Sequence, residues 1–248
     1  MKNVVLFFGF LALLVPFSPA QDPAANQDDP FKNVQSGNAA WVSEWLEKDG
    51  NPNLALQDGS TILMFTGVGG SVEVARALLS KGVKVNAANK DGFTALMYGA
   101  GNGHADFVKL LAENGADLEA RNRNQFTALI IAAANGQAGV VQVLLEKGAR
   151  ADARTNMGWT ALMSAANDGF IEVVKLLLAK GAKVDTRSND GKTALILAAA
   201  NGQTAMVEFL LANGADPKAT DDNGKTALSL ATDIGHTEVV KVLEAHGK

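Results

Sequence analysis

Three histidines, His104, His236 and His246, are the first residues to test for chemistry. His246 has no ligand partner three or four residues downstream, and no His-Glu-x-x-His segment spells out a zinc site. The chain has no cysteine, so thiolate metal sites and cysteine nucleophiles are excluded. Gly-x-Ser-x-Gly, the turn that presents a hydrolase serine, is absent. Gly99-Ala100-Gly101-Asn102-Gly103 lacks the Gly-Lys-Ser/Thr ending of a phosphate loop. Asp221-Asp222 reads as a pair of acids solvating a turn and not as a metal site. No catalytic residue, metal ligand or cofactor site is therefore expected. Recognition remains. The position before a recurring threonine reads Ser60, Phe93, Phe126, Trp159, Lys192 and Lys225. A turn position is ordinarily polar, so three successive aromatics stand out. A second series reads Ala88, Arg121, Arg154, Arg187 and Thr220. Aromatic residues and arginine are enriched at binding hot spots.

The elements that position these series follow from one period. Thr61, Thr94, Thr127, Thr160, Thr193 and Thr226 recur every 33 residues without insertion, most of them opening Thr-Ala-Leu-Met or Thr-Ala-Leu-Ile. So short a unit cannot bury its own apolar face and must stack on neighbours as a solenoid. Within residues 90–122, Asp91-Gly92 predicts a turn and Thr94 a helix N-cap. Ala95 to Ala100 predict a short first helix ended by Gly103. Phe107, Val108, Leu110 and Leu111 have helical spacing and predict a second helix, closed by Gly115. Paired leucines such as Leu177-Leu178 and Leu210-Leu211 predict the buried face, with Leu178 and Leu211 expected between units. The last unit breaks the pair as Leu243-Glu244, which suits an outer cap. Trp41 and Trp45 fall in the columns of Val74 and Leu78 and would seal the first face.

The phrase Asp-Gly-x-Thr-Ala-Leu, then Ala-Ala-x-x-Gly, Val-Val-x-x-Leu-Leu and Gly-Ala resembles the ankyrin repeat, with glycine columns beginning at Gly37 and Gly82. The family's Thr-Pro-Leu-His is Thr-Ala-Leu here, without Pro or His. The resemblance implies an all-α solenoid of stacked helix pairs with extended finger loops. It divides the chain into an N-terminal cap 28–56, repeats 57–89, 90–122, 123–155, 156–188 and 189–221, and a C-terminal cap repeat 222–248. It gives His104 and His236 a structural position. It also implies recognition through the finger tips and the concave inner surface of the first helices. The partner-binding candidates are then Phe93, Phe126, Trp159, Lys192, Arg121, Arg154 and Arg187, with Lys90, Arg123, Asn124, Asn156, Met157 and Asn189 as a variable rim. A basic and aromatic strip suits a protein partner presenting carboxylates beside an apolar patch. The competing reading has the aromatics covering the root of the next finger and the arginines stacked on them, at about 0.5–1 kcal/mol each.

Residues 1–20 read as a signal peptide, with Lys2, the apolar run Val4–Val15 and small residues at Ser18 and Ala20. The run is shorter than the roughly 20 residues that span a bilayer, so cleavage is expected over a retained anchor. Residues 21–27 read as a flexible linker. Removing Lys2 leaves 21 basic against 26 acidic residues, a net charge of −5, which argues against nucleic acid as a partner. The expectation is a monomeric, non-enzymatic protein-binding module, exported to the periplasm or secreted, with no membrane contact after cleavage. An adaptor or inhibitor covering a periplasmic enzyme is a narrower version. An enzyme or small-ligand carrier would need a deep polar pocket. Mass spectrometry of the native protein is expected to give Gln21 as its first residue; an intact Met1 in the membrane fraction would contradict it.

Overall fold

The computed structural model describes residues 28–246. The signal peptide and linker expected at 1–20 and 21–27 lie outside the described residues. The chain between forms seven helix pairs. They are α1 (Pro30–Gln35) with α2 (Ala39–Glu47), α3 (Ile62–Gly69) with α4 (Val72–Ser80), and α5 (Ala95–Gly101) with α6 (Ala105–Glu113). Next come α7 (Ala128–Ala134) with α8 (Ala138–Glu146), α9 (Ala161–Asn167) with α10 (Ile171–Ala179), and α11 (Ala194–Ala200) with α12 (Thr204–Ala212). The last pair is α13 (Ala227–Ile234) with α14 (Thr237–His246). First helices stack on first helices and second on second, so each helix packs on its own partner and on adjoining units. Extended structure among the described residues is confined to isolated bridges such as Ala88 with Thr94. No described helix is long and apolar enough to cross a membrane.

The repeating threonines are N-caps. The side chains of Thr61, Thr94, Thr127, Thr160, Thr193 and Thr226 each accept the N–H three residues on, meeting one of the helix's unpaired donors. Behind them the first helices are almost wholly buried, and small residues such as Ala132, Ala165 and Ala198 let neighbouring helices approach. The second helices bury one stripe. Phe107, Val140, Val173 and Met206 alternate with Leu78, Leu111, Leu144, Leu177 and Leu210, the leucines all at zero exposure.

Those leucines are the first of each pair. Leu178 and Leu211, expected between units, are only half-buried, because the second leucine lies round the helix towards its outer edge. Glu244 occupies that edge position in the last unit and is exposed, while Leu243 beneath it is buried. Other cap substitutions are polar: Ser229 replaces the buried Met or Ile of interior units and closes a capping box with Thr226. At the other end the Trp41 and Trp45 rings stack 5.9 Å apart and pack half-buried on the core.

The finger loops are stitched by a backbone rung in each unit. The N–H groups of Lys90, Arg123, Asn156, Asn189 and Asp222 donate to the carbonyls of Asp58, Asp91, Asn124, Met157 and Asp190, at 2.8–3.1 Å. The finger turn needs a left-handed residue, supplied by glycine at Gly92, Gly158 and Gly191. In the third finger the residue is Gln125, at φ 62°, where a side chain costs about 1–2 kcal/mol. Replacing Leu177 with Ala is expected to destabilise the fold by about 2–5 kcal/mol. Leu178→Ala should cost clearly less, and urea titrations of the two variants will rank them.

Candidate partner-binding groove

Each finger is built round a short polar side chain. Asn89, Asn122, Thr155, Ser188 and Asp221 accept the N–H four residues on, from Phe93, Phe126, Trp159, Lys192 and Lys225, at 2.9–3.2 Å. The last four are buried. This column holds the residue before each repeat threonine at a fixed angle. Sequence reading missed it, although the recurrence of Asn, Thr, Ser or Asp at one register position is the signal of side-chain turn formation. It also corrects Asp221, expected to be solvated: its carboxylate is buried and accepts the N–H groups of Asn223 and Lys225.

Phe93, Phe126 and Trp159 are half-buried and not substantially exposed as the sequence suggested. Phe93 and Phe126 pack on the core edge, and the Phe93 ring meets Tyr98 at 5.6 Å. The Tyr98 hydroxyl accepts from Asn89 Nδ2 at 3.4 Å, and burial pushes its pKa up, partly offset by that bond. Phe93, Tyr98, Asn102, Ile131 and Asn135 line one depression of about 30 Å³. A neighbouring one of the same size lies between Ser60, Phe65, Val68 and Tyr98. Both hold little more than water and neither could enclose a metabolite. Together they form an open groove. Phe93 lines its finger side, and Asn102 and Asn135, at the C-terminal ends of first helices, line the other; Phe126 and Trp159 continue the finger row by register. Lys225 Nζ reaches Asp233 Oδ2 at 2.8 Å from one wall to the other.

The arginine series has work inside the chain. Arg121 Nη1 donates to the Arg154 carbonyl at 2.9 Å, and Arg154 Nη2 to the Arg187 carbonyl at 2.8 Å. Arg187 pairs with Asp222 at 3.5 Å. Each guanidinium thus ties its finger to the next. Gly158 makes room: a Cβ there would strike the Arg154 guanidinium and the Asn189 side chain. Asn156 and Asn189 also donate across, to the carbonyls of Arg123 and Asn156. Arg123 pairs with Asp91 at 3.2 Å, and Lys192 with Asp190 at 2.8 Å. Lys90 and Asn124 are exposed on the tips, and Met157 is 59% exposed.

The histidines sit at unit junctions. His104 Nε2 bonds the Val68 carbonyl at 3.0 Å, and His236 Nε2 that of Ala200 at 3.1 Å. Gln137 reaches the Gly101 carbonyl from the equivalent position. No cluster of metal-ligating residues occurs among the described residues.

The helix-side wall reads Asn102, Asn135, Asp168 and Asn201 by register. The three asparagines each donate to the carbonyl four residues back, at 2.8–2.9 Å. Asp168 instead accepts from Asn167 at 2.9 Å, and Asn167 accepts from Asn201 at 2.8 Å. Loss of solvent round the Asp168 carboxyl raises its pKa above the ordinary 3.8, partly offset by the Asn167 bond. A raised folded-state pKa means the unfolded chain ionises first as pH rises, so ionising Asp168 lowers stability through that window. Asp168→Asn is therefore expected to be no less stable than the parent near neutral pH. Any advantage should vanish below the ordinary value of 3.8, where both states are protonated, and urea titrations on either side of that pH will show it.

A family profile described as Ankyrin repeats (3 copies) matches residues 32–122, 118–188 and 168–248. No curated protein matches the chain. The matched segments run through nearly all the described residues, and the capped helix pairs and stitched fingers are the architecture they imply: the chain belongs to the ankyrin repeat family.

Proposed function

We propose that this chain is an exported, non-enzymatic binding module that holds a protein partner along the groove between its fingers and first helices. The observation that carries this reading is the run Phe93, Phe126 and Trp159. Three aromatics fill consecutive copies of a turn position, and each is held by a polar side chain at its finger's base. Rigid aromatic anchors at the centre of an open surface are what binding hot spots use. Ankyrin repeats are generally protein–protein interaction modules, and the shallow depressions favour a macromolecular partner over a small ligand. The finger tips Lys90, Asn124 and Met157 would form the rim. The apolar N-terminal segment and the absence of cysteine favour action in the periplasm or outside the cell.

Pulldown from the envelope fraction of the producing cell, with the mature chain as bait, tests the reading. The captured protein is expected to lose about 2 kcal/mol or more of affinity on Trp159→Ala, measured by calorimetry, with the melting curve shifted much less. A partner that binds Trp159→Ala with unchanged affinity would move the site off the groove.

A further inference from the structure

We propose that Met157 is a redox-modification site, where a peroxide converts the thioether to a sulfoxide and changes the surface of a central finger tip without disturbing the stack. The inference goes beyond the groove reading and needs no partner.

Exposure singles this residue out. The chain has six methionines, of which Met1 lies outside the described residues. Met64, Met97, Met163 and Met206 are each 1% exposed, and Met157 is 59% exposed. No cysteine competes for an oxidant. Met157 is thus the one sulfur among the described residues that an oxidant in water meets directly. The other four are reached only when their helices open locally.

The repeat gives a second argument. The tip position reads Asp58, Asp91, Asn124, Met157, Asp190 and Asn223. Five copies carry a side chain with an acceptor oxygen. Met157 alone puts an apolar group there, and that group lies outside the hydrophobic core, so packing does not account for it. A sulfoxide oxygen is also an acceptor, so oxidation gives this tip the polar character of its copies. The finger itself is fixed through the backbone. The Met157 carbonyl accepts the Asn189 N–H at 3.0 Å, and the Gly158 N–H donates to the Thr155 carbonyl at 2.9 Å. Neither bond involves the thioether. A sulfoxide on any of the four buried methionines would instead set a polar oxygen in the apolar core, at a cost to the fold.

The chemistry is a two-electron oxygen transfer. A lone pair on Met157 Sδ attacks one peroxide oxygen, and the S–O bond forms as the O–O bond breaks. The transferred oxygen passes its proton to the departing hydroxide, which leaves as water. Sulfur is oxidised and the peroxide reduced. Methionine sulfoxide reductases run the change back, one enzyme for each sulfoxide epimer.

Brief hydrogen peroxide treatment of the mature chain, followed by peptide mapping in the mass spectrometer, tests the proposal. Met157 is expected to take up oxygen about tenfold or more faster than the four buried methionines. The singly oxidised chain should keep the parent's melting curve. Met157→Leu should lose the fast uptake, and the two reductases together should restore the parent mass. Uptake at Met157 no faster than at Met64 or Met206 would overturn the inference. So would fast uptake that survives Met157→Leu, a singly oxidised chain that melts well below the parent, or a sulfoxide that the reductases leave in place. The groove reading stands or falls separately, on how the captured partner responds to Trp159→Ala.

Discussion

A helix pair of this size exposes almost as much apolar surface as it can bury, and only the next pair covers it. Leu78, Leu111, Leu144, Leu177 and Leu210 reach zero exposure because each lies beneath a neighbouring unit. Every other regularity serves that stacking. Threonine caps start the first helices at the same angle, small residues let them approach, and His104, Gln137 and His236 reach back to a carbonyl in the preceding unit. The finger rungs repeat the coupling on the far side of the groove. Stability in such a stack is a sum of unit and junction terms, so a groove wall stays in place only while the junctions on both sides of it hold.

The groove owes its chemistry to departures from the repeat. Identical units would present identical rows. Here one row changes from Ser60 through three aromatics to Lys192 and Lys225, and the facing row changes from asparagine to Asp168 and back. The third finger departs in its backbone too, with Gln125 left-handed where its neighbours have glycine. These changes cluster in the central units, where neighbours on both sides fix the frame.

Most of the fold was legible because it is periodic. The 33-residue register placed the caps, both helices and the turns, and residues 90–122 behaved as their spacing required. The leucine pairs were less legible: apolar character could not say which leucine faces the neighbour, since that depends on how far the second helix is rotated. The groove was legible as a row and misread as a surface. Side-chain type showed that Phe93, Phe126 and Trp159 were unusual, but not that the fingers fold them inward. Arg121 and Arg154 looked free because their acceptors are backbone carbonyls 33 residues away, which no side-chain pattern reveals.

The unbroken register has a consequence for how such a molecule can change over generations. Principal contacts run within a unit or to the adjoining one, and no cysteine ties distant units together. Duplication or loss of one whole unit would leave every remaining junction of the same kind. The groove could thus be lengthened or shortened in steps of one unit, with both caps reused unchanged. Its reach is a heritable variable separable from the chemistry of any single finger.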